Sequence, residues 1–103
     1  MDTDAIKPRP EQIRWVLILT LNNARPRGAG AAVLLGTVQG ALYPDATVQE
    51  IRRELDYLER RRLVDVEQSP AGPWLARLTH HGVDLAEYTI DCEPGIARPA
   101  KYW

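Results

Sequence analysis

The hydrophobic pattern changes period along the chain. Between Thr47 and Leu63, Val48, Ile51, Leu55 and Leu58 recur at alternating steps of three and four, which gathers them on one face of a helix. Thr47 followed by Glu50 has the spacing of a capping box, so the helix is predicted to begin there, with hydroxyl and carboxylate each satisfying a free backbone N–H. After Leu63 the period drops to two. Val64 and Val66 alternate with Asp65 and Glu67, SPAGP supplies turn chemistry, and Trp74, Ala76 and Leu78 alternate with Leu75 and Arg77. That is the pattern of a small two-stranded hairpin.

Upstream, residues 1–10 are polar and proline-bearing and predict a mobile arm. Pro10, Glu11 and Gln12 suit a first helical turn, because proline loses nothing there and a carboxylate favours the positive helix end. This first helix should run to about Asn23. Its apolar residues, Ile13, Trp15, Val16, Leu17, Ile18, Leu19 and Leu21, cover more than one face, so the helix is either deeply buried or has a second face against a partner. A strand over WVLILTL is the competing reading. The width of the apolar surface predicts a homodimer with Trp15, Ile18 and Leu19 at its interface.

Asn23 to Gly30 reads as a loop carrying Arg25 and Arg27, and Ala31 to Leu42 as a second helix with Val33, Leu34, Val38, Ala41 and Leu42 as contacts. Gly36 and Gly40 inside it cost roughly 1 kcal/mol each against alanine, which predicts close approach of another helix. The segment is too short and polar for a membrane GxxxG pair. Tyr43, Pro44 and Asp45 form the turn into the central helix. Thr79 can cap a closing helix to about Tyr88, with Leu78 and Val83 as a hydrophobic staple. Residues 89–103 should be irregular, with Tyr102 and Trp103 either packed back or exposed for a partner. The domain proper is therefore expected over residues 11–88.

At 103 residues the chain is long enough for one modest core. It has no run of eighteen apolar residues and no basic, apolar leader, so the expectation is a cytoplasmic protein without membrane span or signal peptide. Its one cysteine, Cys92, cannot form an internal disulfide. His80, His81, Asp84 and Cys92 are of metal-ligand type, but adjacent helical histidines point about 100° apart, and no C-x-x-C accompanies them. Neither metal nor cofactor is expected. No nucleophile with a base, glycine-rich phosphate loop or apolar carboxylate pair stands out, so no catalytic residue is assigned and an enzyme is not expected.

The net charge of −1 is unevenly spread. Residues 1–28 hold five basic and three acidic groups, and 47–63 five and four. Residues 64–91 set Arg77 alone against Asp65, Glu67, Asp84, Glu87 and Asp91. An acidic hairpin would be repelled by phosphate.

A capped amphipathic helix leading into a hairpin, with the text IRRELDYLERRRLVDVE, resembles the recognition helix and wing of the winged helix-turn-helix superfamily (ArsR/MarR-like). Together with LTHHGVDLAE and the closing PGIARP, the chain is similar to short winged-helix proteins of Mu-like prophages. The resemblance implies an α+β, mainly helical fold: three helices, a two-stranded wing and a closing helix. It also implies a regulatory or phage role. In such proteins glycine often precedes Leu63 and ends the helix; here that residue is Arg62. The metal-sensing branch of the ArsR-like repressors carries a cysteine pair in the recognition helix, and this helix has none.

In a helix-turn-helix the N-terminal half of the second helix enters the major groove, where arginine reads guanine and glutamine reads adenine. Gln49, Arg53 and Arg60 lie opposite the apolar stripe, flanked by Arg52 and Asp56 on one side and Glu50 and Tyr57 on the other. The candidate contacts to double-stranded DNA are thus Thr47, Gln49, Arg52, Arg53 and Asp56. Arg60 to Arg62 either meet phosphates or solvate the helix end. Glu50 is explained by the cap, and Glu54 and Glu59 are expected to be surface partners of neighbouring arginines. A transcriptional regulator is the leading expectation. The alternative is a winged-helix module for protein–protein contact in phage assembly or packaging, with a phage protein as partner.

Overall fold

Pro10 and Glu11 begin a helix as their chemistry predicts, and WVLILTL continues it rather than forming a strand. In the computed structural model, which describes residues 7–68 and 73–101, this helix is α1 (Arg9–Asn23). It is followed by β1 (Ala29–Gly30), α2 (Ala31–Ala41), α3 (Val48–Arg60), β2 (Val64–Gln68), β3 (Trp74–Leu78) and α4 (His80–Ala86). The chain is thus a small α+β domain, about half helical, with a three-stranded antiparallel sheet among the described residues. Residues 1–6 of the expected arm, most of the SPAGP turn, and Tyr102 and Trp103 lie outside the described residues.

The broad apolar surface of α1 resolves into one inward stripe. Ile13, Leu17, Ile18 and Leu21 are completely buried, at the spacing that places them over successive turns. They pack with Leu34 and Val38 of α2 and with Ile51, Leu55 and Leu58 of α3. Ile18, expected at a dimer interface, is therefore part of the chain's own core. Gly36 and Gly40 of α2 also depart from expectation: among the described residues a side chain at either would meet nothing within 4 Å, so no described helix approaches them.

The sheet is centred on β3. Val64 faces Leu78 and Gln68 faces Trp74 across the hairpin, while Ala29 faces Ala76 on the other side. The pairing with β1 makes a strand of two residues expected to be loop. Two hydrogen-bonded residues are too few to leave a period in the sequence. At the other edge, the Glu59 carboxylate accepts the N–H of Val66 at 3.1 Å, giving one backbone donor of β2 a partner.

Thr47 caps α3 as predicted, its hydroxyl accepting the N–H of Glu50 at 3.2 Å. The Glu50 carboxylate, the other half of the box, is gripped by Arg9 and is also stabilised by the Thr47 backbone N–H. At the far end, the N–H of Arg62 reaches the Glu59 carbonyl at 2.9 Å and that of Leu63 reaches the Leu58 carbonyl at 3.0 Å. This is a Schellman ending, and Arg62 occupies its left-handed position with φ 64°. A non-glycine residue there costs roughly 1–2 kcal/mol, partly offset by the backbone entropy that glycine would lose. Arg62→Gly should accordingly raise the unfolding free energy by about 0.5–1 kcal/mol, measurable by urea denaturation.

Thr79 joins three elements. Its N–H donates to the Leu63 carbonyl at 3.1 Å, its hydroxyl donates to the Arg62 carbonyl at 2.7 Å, and the same oxygen accepts the Gly82 N–H to cap α4. Beyond α4 the chain is irregular, as its prolines and glycine predict, yet it is docked. Ile96 joins the core, and the Ala97 N–H donates to the Glu11 carbonyl. Arg98 donates to the carbonyls of Leu85 and Ile90 and lies over the Tyr88 ring. The folded unit therefore extends through residues 89–98, past the boundary expected at 88. No helix among the described residues is long and apolar enough to cross a membrane.

Candidate nucleic-acid interface

With Ile51, Leu55 and Leu58 fully buried, α3 has its opposite side committed to solvent. The candidate residues divide according to what already holds them. Gln49 and Arg60 are exposed, and Arg53 has 68% of its side chain exposed. These three lie within about 40° of one another on the helix and form a single outward line.

The remaining candidates are more committed. The Thr47 oxygen is engaged in the cap. Arg52 donates through Nε to Asp56 Oδ1 at 3.1 Å, one helical turn on, and its guanidinium lies 5.6 Å from the centre of the Trp74 ring of β3. Asp56 is thus the counter-ion of Arg52, and its carboxylate would repel a phosphate. The hairpin beside this face keeps its acidic character. Asp65 and Glu67 are exposed, and Arg77 donates to Glu67 at 2.6 Å.

Two ionic clusters support the face from behind. Arg9 grips both oxygens of Glu50, at 2.7 and 2.8 Å, reaches Asp45 at 3.1 Å and sits over the Tyr43 ring at 4.2 Å. The start of α1 is thereby tied to the α2–α3 turn, which Gln39 also holds by donating to the Ala46 carbonyl. Arg9 is therefore neither arm nor free charge. Its hydrogen bond holds Glu50 below the usual carboxylate value of 4.5, against the opposing effect of burial. A depressed folded-state pKa contributes stability above the unfolded value that is lost as pH falls through the folded one. Glu50→Gln should therefore flatten the loss of thermal stability below about pH 4.5, as followed by melting curves from pH 7 to 3.

The second cluster surrounds Glu54, which is 1% exposed and not the surface residue expected. The signal was present in the spacing, since Ile51, Glu54 and Leu58 fall at i, i+3 and i+7, on the buried stripe. Its partners Arg14 and Arg53 lie on α1 and on the outward face of α3. Arg14 could not be connected to it from sequence, because nothing local links positions forty residues apart.

Of the other residues expected at a dimer surface, Trp15 is half-buried and packs edge-on against Tyr88, with ring centres 6.3 Å apart. Leu19 is 38% exposed. Burial pushes the Cys92 thiol pKa up. Among the described residues no three His, Cys, Asp or Glu side chains gather in a way that could hold a metal ion. The chain matches no protein-family model, no curated protein and no solved structure at a significant level.

Proposed function

We propose that this chain is a winged-helix DNA-binding protein acting as a transcriptional regulator, with α3 as its reading helix and β2–β3 as its wing. The observation that carries this reading is the outward line of Gln49, Arg53 and Arg60 on a capped helix whose other side is locked into the core. These side chains match the acceptor and donor pattern of base edges in the major groove and the charge of the phosphates. The helix N-terminus, where Thr47 and Gln49 sit, is the end that reads bases in such a fold.

The acidic strand β2 favours a second reading, in which the same fold docks on a protein during phage assembly. Exposed Asp65 and Glu67 would be repelled by a DNA backbone. Selection of bound fragments from random duplex DNA, with affinity followed as salt is raised, separates the two. A common site and a steep salt slope support the DNA reading, and a palindromic site would add a homodimer. No retention at low salt would favour assembly. In the DNA case, Arg53→Ala should weaken binding to the selected site by about 1–3 kcal/mol and leave random duplex nearly unaffected, as measured by fluorescence anisotropy.

A further inference from the structure

The contact between α1 and α3 contains a buried carboxylate shared by two arginines. Glu54 Oε1 accepts from Arg14 Nε at 2.8 Å and Oε2 from Arg53 Nε at 3.2 Å. Arg14 is anchored inward: its guanidinium lies 3.5 Å from the centre of the Tyr57 ring, and its Nη1 donates to the Gly95 carbonyl at 2.8 Å. Arg53 runs the other way, from the buried carboxylate into solvent.

A buried ionic cluster is a poor device for stability, since apolar groups of the same volume commonly do as well or better. Its geometry does have a consequence for the exposed arginine. A free arginine side chain carries about 2 kcal/mol of rotamer entropy, which binding must overcome. Holding Arg53 at Nε removes part of that freedom in advance and leaves its terminal nitrogens to donate outward. Glu54 suits this task because its two oxygens serve two arginines. A glutamine would offer one acceptor and one competing donor.

We infer that Glu54, itself fixed by Arg14, is a positioning residue that pre-orients the Arg53 guanidinium for base recognition. The inference rests on the DNA-reading proposal. It makes α1 and the tail turn at Gly95 part of the specificity apparatus, although neither meets DNA. Gly95 takes φ +114°, and a side chain there would strike the Tyr57 hydroxyl, so the turn that presents its carbonyl to Arg14 depends on glycine.

The test uses the full chain and reads the Arg53 Nε–H directly by NMR in the absence of DNA, with the exposed Arg60 as reference. In the wild type the Arg53 signal should be shifted downfield and exchange slowly, and in Glu54→Gln it should move to the position and exchange rate of Arg60. Glu54→Asp, which keeps the charge but shortens the reach, should give an intermediate result if Glu54→Gln does not fold.

On DNA, Glu54→Gln should lower the ratio of selected-site to random-duplex affinity about tenfold, within the range of one bidentate base contact. Random-duplex affinity should be nearly unchanged, and adding Glu54→Gln to Arg53→Ala should lower the ratio no further. A merely structural Glu54 would reduce both affinities alike, or add its effect to that of Arg53→Ala, and would overturn the inference. An Arg53 Nε–H that behaves like that of Arg60 in a wild-type chain still selective for DNA overturns the positioning role alone. A wild type without sequence selectivity overturns the DNA reading and with it the use assigned to Arg53.

Discussion

Arg14→Ala should lower the unfolding free energy by about 3–5 kcal/mol, the usual cost of breaking a buried ion pair from one side. The variant removes the Arg14 ion pair from Glu54, which is 1% exposed, and leaves it paired with the solvent-exposed Arg53. It also removes the group over the Tyr57 ring and leaves the Gly95 carbonyl without the Arg14 donor. For a domain of this size such a loss is a large fraction of the 5–15 kcal/mol typical of total stability. Arg14→Met combined with Glu54→Met should recover most of it, to within about 1 kcal/mol of the wild type, because the desolvated charges disappear together. Urea denaturation of the two variants checks both values. If the double variant is as unstable as Arg14→Ala alone, an uncompensated charge is not the cause.

Gly82→Ala should cost about 3 kcal/mol, at the upper end for overpacking a tightly packed site. A methyl group at position 82 would strike the backbone carbonyl of Leu63 and lie 2.8 Å from Leu78 Cδ2. The Leu63 carbonyl also accepts the Thr79 N–H, so it cannot turn away without losing that bond. The methyl must displace α4 from the base of the hairpin instead. Thermal melting should show the loss. An unchanged melting temperature would mean that α4 moves at little cost and that the Leu63–Thr79 junction is loosely held. The contrast with Gly36 and Gly40 is instructive: all three glycines lie in helices, but a side chain would meet the protein only at Gly82.

Local chemistry accounts for much of what was legible. Thr47 and Thr79 cap helices because a hydroxyl one position before a helix meets a free N–H whatever the rest of the fold does. The α3 stripe and the alternation in β2 and β3 are likewise periodic over enough residues to identify their elements. The candidate interface was legible only as a face. Spacing placed Gln49, Arg53 and Arg60 together, but it could not show that Arg52 is paired with Asp56 and stands beside Trp74. Ile18 could not be divided from Leu19 by composition, since both are apolar, and the direction of the core decides between them.

The sequence by itself determined where helices start, where the period passes from helix to hairpin, and which side of α3 is apolar. Each of these depends on residues within a few positions of one another. Only the tertiary structure decided that Glu54 is buried between Arg14 and Arg53, that Arg9 reaches Glu50, that β1 completes the sheet, that Ile96 returns to the core and that the Gly95 carbonyl meets Arg14. A charge is stable inside a protein only when folding brings its partner to it. Arg14 and Arg9 lie 40 and 41 positions from Glu54 and Glu50, where no local spacing can pair them.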